Sequence, residues 1–386
     1  MGVLRVERSE PTGLAARAAG INWRDFDLQL ILYAGLLAVL GLTMAYSNAA
    51  TAGAEAIGAQ STFARGLAWL LVAAVVFALV TFFDYTWLTS LSWPIYLVNL
   101  GLLAASLLLG DADASSSRWV TIFGFQFQFS ELAKILMIIV LARYLADREA
   151  RLDSLGSVVG ACLLVVPPWI LVMLQPDLGT SLVFIAILAG MLFMAGARLR
   201  WLALLGAAAV AAIPLAWTFL LHDYQKVRLT SFLDPAADPL GAGYQLITAQ
   251  EAVRSGGLLG YGITNGAQNQ GQLLPVQTTD FVFAILAEEL GFIGCLVVFL
   301  LFVALLWRIL LAAWRSRDPL GLLVGAGLAS MILFQLAVNV GMILGLMPIT
   351  GIPLPFITHG GSSLVSIALG LGILQSINVR RQRPEW

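Results

Sequence analysis

Ten stretches of 17 or more mostly apolar residues punctuate this chain, at about 28–47, 63–83, 87–110, 131–147, 157–174, 180–197, 200–221, 281–312, 320–346 and 362–379. Each is long enough to cross a hydrocarbon layer about 30 Å thick as a helix. Lipid offers no partner to a bare amide, so a crossing segment must satisfy its own backbone. The expected fold is therefore all-α, a polytopic membrane helix bundle of about ten transmembrane helices with a large extracellular loop between helices 7 and 8. Composition agrees: 11% of residues are charged, against about 25% in soluble domains. The formal net charge of −1 leaves no basic excess to displace counterions, which argues against nucleic acid as a partner.

The first 27 residues hold Arg5, Arg8, Arg17 and Arg24 without an apolar core. They read as a cytoplasmic tail rather than a cleavable signal, with the first helix as the insertion signal. Fifteen of the 21 basic residues fall on the side of both termini, five on the other, and Lys134 lies within a span. That bias places both termini in the cytoplasm and makes residues 380–386 a second cytoplasmic tail. Pro167-Pro168 is expected to kink or break the fifth span. No repeat of the inverted kind found in many transporters is visible. Cys162 and Cys295 lie in apolar segments and read as buried small hydrophobes. With only His222 and His359 besides, no metal site follows from spacing.

Residues 222–280 form one outward connection far longer than the others. Loops of that length inside a compact bundle are functional or disordered, and its Leu, Tyr and Phe content argues against disorder. Eight glycines lie between Gly241 and Gly271, allowing tight turns and close backbone approach. Tyr244–Arg254 reads as a short interfacial helix stopped by Gly256-Gly257.

An ionisable side chain in a bilayer costs at least about 2.5–3.5 kcal/mol, so each one marks a functional candidate. Glu131 and Lys134 lie three apart on one helix face, either as a self-satisfied ion pair or as a charged wall facing a phosphate headgroup. Asp177, in Gln175-Pro176-Asp177-Leu178-Gly179-Thr180, either caps the sixth helix or contributes to a site beside the long loop. Asp280 ends that loop, as an N-cap or as a general base at the water–membrane boundary. Glu288 and Glu289 point about 100° apart, one of them toward an internal network with Lys134 or Arg118. Arg118 offers a fork that fits phosphate. The amides of Gly360, Gly361 and Ser362 at the start of the last helix form either an anion site or a structural turn.

Taken in order, these segments resemble the RodA/FtsW/SpoVE (SEDS) family. The matching stretches are Ser117-Arg118-Trp119, Phe127 to Lys134, Gln175 to Thr180, Arg228 to Pro235, Asp238 to Gln245, Ser255 to Leu258, Thr279-Asp280-Phe281, Ala287 to Gly291 and Gly351 to Ser363. Asn22 to Asp27 and Ile349 to Pro353 look more like RodA than FtsW. The resemblance implies a SEDS-type transmembrane domain over residues 28–379. It also implies a peptidoglycan glycosyltransferase that polymerises lipid II during elongation of the bacterial cell, in the cytoplasmic membrane. The family's catalytic aspartate falls on Asp280, and other functional positions fall on Arg118, Glu131, Lys134 and Asp177. The implied partners are lipid II, undecaprenyl-linked glycan, membrane lipid and a class B penicillin-binding protein; a divalent cation is left open as cofactor. This chain departs from the family's usual residues at Phe129, Val276, Thr278 and Thr358-His359. Two rival expectations are a lipid II flippase and a weakly catalytic scaffold that activates its transpeptidase.

Overall fold

The computed structural model describes residues 22–51, 61–110, 119–122, 125–148, 154–235, 238, 241–271, 280–316, 318–358 and 360–380. Fourteen helices follow in chain order. They are α1 (Leu28–Thr51), α2 (Thr62–Phe82), α3 (Tyr85–Ser90), α4 (Ser92–Leu109), α5 (Phe129–Ala146), α6 (Leu155–Leu174), α7 (Leu178–Met194) and α8 (Leu199–Leu215). After them come α9 (Asp223–Leu233), α10 (Ala242–Ser255), α11 (Ala267–Gln270), α12 (Val282–Arg315), α13 (Pro319–Ile343) and α14 (Gly361–Val379). A π-helical turn, Ala216–Leu220, prolongs α8. One short hairpin, β1 (Val120–Ile122) against β2 (Phe125–Phe127), interrupts the helices and pairs Thr121 with Gln126.

Every expected span corresponds to a helix, and eight of them are long and apolar enough to cross a membrane. The remaining two are α5, which carries Glu131, Lys134 and Arg143, and the shorter apolar α7. The third span divides into α3 and α4 around Leu91. Local chemistry sets several starts. Asp27 accepts from Leu30 N at 3.0 Å, Ser61 from Ala64 N at 3.1 Å and Asp318 from Leu320 N at 3.1 Å, with Pro319 in the first turn. Each satisfies a donor that the helix cannot.

Of the kink or break expected at Pro167-Pro168, the break is absent, since α6 runs through both prolines. Pro168 has no N–H for the carbonyl of Leu164, and the Tyr96 hydroxyl of α4 donates to that carbonyl at 3.0 Å. A neighbouring helix thus supplies the missing donor.

The centre of the bundle is α13 and α14, whose apolar windows are 72% and 78% buried; the same measure is 6% for α2 and 0% for Leu199–Phe219. Peripheral helices turn Leu71, Leu79, Val210 and Ile213 outward, as lipid-facing surfaces do. The chain is an integral membrane protein.

Helix α12 is two helices in series. Gly291 has φ 63° and ψ −167°, a conformation open essentially to glycine alone. Loop backbone from the far side of α10 fills the interruption. Tyr261 N and Gly262 N donate to the carbonyls of Glu288 and Glu289 at 3.1 and 2.9 Å, while Phe292 N and Ile293 N donate to Gly257 O and Leu258 O at 2.9 and 3.1 Å. The loop therefore caps the end of one half-helix and the start of the next, replacing the hydrogen bonds the break forfeits.

Helix α10 is longer than expected and is not a free interfacial helix. It buries Gly243, Leu246, Ala249 and Ala252 and packs against α12 and α13. The small residues admit close approach, as at Gly256, where a Cβ would collide with the carbonyl of Ala287.

Candidate active site

Asp280 sits two residues before α12 and is half-buried. The expected N-cap geometry is not found. The cap position is Phe281, which makes no side-chain cap bond among the described residues, and not Asp280. Its main chain is held instead: Asn339 Nδ2, on buried α13, donates to Asp280 O at 3.0 Å and to Ile352 O at 2.8 Å. One amide thus ties the end of the long loop to the segment before α14.

Gly351, beside Ile352, has φ +73°. An idealised Cβ there would lie 3.5 Å from Asp280 Oδ2 and 3.7 Å from Arg228 Nη1. A carboxylate and a guanidinium from α9 therefore flank one spot above a residue without a side chain. That combination can accept a proton and face a developing negative charge within one small volume.

The other candidates converge on the same segment. Asp177 is buried and caps α7, accepting from Thr180 N at 3.0 Å and Thr180 Oγ1 at 2.9 Å. It also accepts from Gln128 Nε2 at 2.8 Å. Gly179, two residues on, abuts the carbonyl of Thr350 and Ile352 Cγ1. Glu131 pairs with Lys134 at 2.6 Å, with side chains only 3% and 1% exposed, and the amide of Glu131 donates to Gln128 O at 3.2 Å. A continuous chain of contacts thus leads from Lys134 through Glu131, Gln128, Asp177 and Gly179 to Gly351 and Asp280. Enclosed as it is, the Glu131–Lys134 pair takes the internally satisfied form of the two weighed from sequence.

Glu288 and Glu289 are both fully buried, and the partners described for them do not include Lys134. Glu289 Oε1 accepts from the Ser47 hydroxyl of α1 and from Asn269 Nδ2, the latter at 2.7 Å. Glu288 Oε1 accepts from Gln268 N at 2.9 Å. Lys134 is occupied by Glu131, and Arg118 lies outside the described residues. The physical reason is the break at Gly291: it draws loop residues 256–270 against these carboxylates, so the loop supplies donors alongside Ser47 of α1.

Helix α14 begins at Gly361 after Gly360, with no side-chain cap. Ser362 is buried, its hydroxyl without a partner among the described residues, and Gly361 lies so close to Trp69 that a Cβ would overlap the indole. The turn before it is closed by Thr358, whose hydroxyl accepts from Leu354 N at 2.8 Å. Val276, Thr278 and His359 lie outside the described residues. Cys162 and Cys295 are free thiols. Among the described residues, no three His, Cys, Asp or Glu side chains are grouped as metal ligands.

Sequence reasoning passed over Arg228, Asn339 and Gly351 as site residues. The signal for Arg228 was its place in a matching stretch of the loop. Asn339 was legible only as a lone amide in an apolar run, and Gly351 only as the first residue of the matching stretch that runs to Ser363.

The family model described as "Cell cycle protein", that of FtsW, RodA and SpoVE, matches residues 27–383. Peptidoglycan glycosyltransferase MrdB of Escherichia coli (strain K12) is 39% identical over 290 residues, covering 75% of this chain and 78% of that protein. Among solved structures, a chain from a peptidoglycan synthase complex that coordinates polymerization and crosslinking aligns with a TM-score of 0.77 at 30% identity, covering 92% of this chain and 98% of that one. Thermus thermophilus rod shape determining protein RodA aligns with a TM-score of 0.69 at 27% identity, over 94% and 99% of the two chains.

Proposed function

The chain belongs to the FtsW/RodA/SpoVE family, and on that premise we propose that it is a peptidoglycan glycosyltransferase that polymerises lipid II, with Asp280 as general base. The observation that carries the residue assignment is that Asp280 Oδ2 and Arg228 Nη1 both border the space a side chain at Gly351 would fill. The carboxylate takes the proton from the acceptor sugar's 4-hydroxyl as that oxygen bonds to the anomeric carbon of the donor. The bond from that carbon to the lipid pyrophosphate breaks, with inversion, and the pyrophosphate carries off the electron pair. Arg228 is placed to offset the charge that builds on it, because a guanidinium meets phosphate oxygens bidentately.

Arg118 and the amides of Gly360, Gly361 and Ser362 are assigned to the pyrophosphate and headgroup as well. Glu131, Lys134 and Asp177 support the site through Gln128 and Gly179 rather than by standing open to substrate, a reading supported by their burial. In this assignment residues 28–379 are the catalytic membrane domain, residues 222–280 its outward loop, and residues 1–27 and 380–386 cytoplasmic tails. The protein sits in the bacterial cytoplasmic membrane and works with a class B penicillin-binding protein, as the similar chain from a synthase complex suggests.

The test is polymerisation of lipid II by purified protein, with and without the cognate transpeptidase, read as glycan strands on a gel. D280N keeps the side chain's shape and removes its basicity, and it is expected to abolish strands while the protein remains folded. Wild-type polymer from folded D280N protein would refute the assignment of the base. Lipid II crossing liposome membranes without polymer would instead favour translocation.

A further inference from the structure

At the end of the bundle opposite Asp280, the turn Trp23–Asp25 is stitched to the last residue of α14, with Asn22 N donating to Val379 O at 2.7 Å. Between this turn and the far end of α12 lies a cleft of about 120 Å³, lined by Arg24, Asp27, Arg308, Arg315 and Asn378 among others. In the same measure one water occupies roughly 10–15 Å³, so the cleft has room for a phosphate-sized group. From the Gly291 break to Arg315 the helix runs roughly 36 Å at about 1.5 Å per residue. The cleft is therefore a membrane thickness away from the proposed catalytic site.

Most arginines at this end have partners. Arg143 pairs with Asp147 at 3.0 Å, Arg148 stacks over Tyr144 at 3.9 Å and Arg200 over Trp201 at 4.5 Å. Arg380 donates to Thr81 O at 3.0 Å and Ser376 Oγ at 2.6 Å. Arg308 donates to Asp27 Oδ2 at 2.6 Å through Nη2 and 3.1 Å through Nε, and Asp27 in turn caps α1. Among the described residues, Arg24 and Arg315 have no acidic partner, and both line this one cleft. The dipole of α12 explains an arginine in its last turn, but not a second one brought to face it from the N-terminal turn. Asp25 is engaged by Asn22 Nδ2 at 3.0 Å. Trp23 and Trp314, next to Arg24 and Arg315 in the chain, are 57% and 77% exposed, the pattern of residues seated at headgroup level.

We propose that this cleft binds a phosphate ester, namely the headgroup of an anionic phospholipid in the leaflet opposite Asp280, through the guanidinium groups of Arg24 and Arg315. The rigid Asp27–Arg308 pair forms its floor. The two guanidinium forks supply bidentate donors, and the exposed indoles of Trp23 and Trp314 suit the headgroup level. The ligand completes a charge balance that the described residues leave open.

The test uses the full chain in detergent micelles, titrated with phosphatidylglycerol or phosphatidylcholine and read by native mass spectrometry. The expected result is selective retention of phosphatidylglycerol by wild type. R24Q/R315Q should bind it roughly thirtyfold more weakly, from about fivefold per basic residue at a membrane surface, and R24K/R315K should fall between. Thermal unfolding in phosphatidylcholine checks that the variants fold, and R24Q alone, an exposed change, serves if the double variant does not. Equal retention by wild type and R24Q/R315Q overturns the site. Complete displacement of the lipid by excess inorganic phosphate overturns the lipid assignment in favour of a soluble phosphate.

Discussion

Replacing Asn339 by leucine asks whether the proposed base depends on a residue that never touches substrate. The asparagine is fully buried, and its Nδ2 serves the carbonyls of both Asp280 and Ile352. Leucine has a similar shape but orphans both acceptors, at about 1–3 kcal/mol each. Part of that cost is offset, because Asn339 Oδ1 is itself buried without a partner among the described residues and disappears with the substitution. The net destabilisation is therefore about 1–5 kcal/mol, which thermal unfolding of purified protein would register as a lower midpoint. The effect on rate should exceed the effect on fold. With its tether gone, the Asp280 main chain drifts from Ile352, and a displacement near 1 Å costs about a hundredfold in a positioned reaction. N339D should be at least as damaging, since a carboxylate would confront two carbonyl oxygens at 2.8–3.0 Å with no donor unless it took up a proton. The assay is initial strand formation from lipid II at saturating and limiting substrate, where a positioning defect lowers the turnover number more than it raises KM. If N339L polymerises at the wild-type rate, the tether has no part in placing the base.

Three further outcomes follow from the same geometry. G291A forces a Cβ into a glycine-only conformation and toward the loop backbone, 2.7 Å from Leu258 O; strain alone costs about 1–3 kcal/mol, so thermal unfolding should show a large loss, and an unchanged midpoint would refute the broken-helix reading. G351A places its methyl at ordinary contact distance from Asp280 and Arg228 but pays about 1–2 kcal/mol for its left-handed φ, so G351A should retain much of the activity where G351V, filling the gap between the two charges, loses at least about tenfold. N269L removes the amide that Glu289 shares with Ser47 and should destabilise by about 1–3 kcal/mol; combined with S47A in a double-mutant cycle it should be non-additive, because the two residues serve one carboxylate, and strict additivity would dissolve the network.

How far the site was legible depends on what kind of signal each residue leaves in the chain. The ten spans announce themselves because lipid demands long apolar runs, and Asp177 announces its cap because Asp before an apolar run has few other uses. Ionisable groups stand out by their cost, which is why Glu131, Lys134, Glu288 and Glu289 were singled out. Their partners were not readable, because a carboxylate's partner is set by which backbone comes near. One partner of Glu289 lies on α1, 242 residues away in sequence. The break in α12 was hidden for a related reason: Gly291 sits inside an apolar run whose helical pattern continues on both sides, and only the amides of residues 261–262 and the carbonyls of 257–258 make its interruption affordable. Asn339 shows the general point most sharply. A neutral amide in a membrane helix costs less than a charge and attracts less notice, yet it is the group suited to fastening two carbonyls together without adding net charge to a low-dielectric interior. In a site whose chemistry turns on one carboxylate, such a tether preserves that carboxylate's electrostatics in a way a lysine at the same place would not. Neutral amides and hydroxyls in apolar spans therefore mark the scaffold of a membrane active site, just as ionisable residues mark its chemistry.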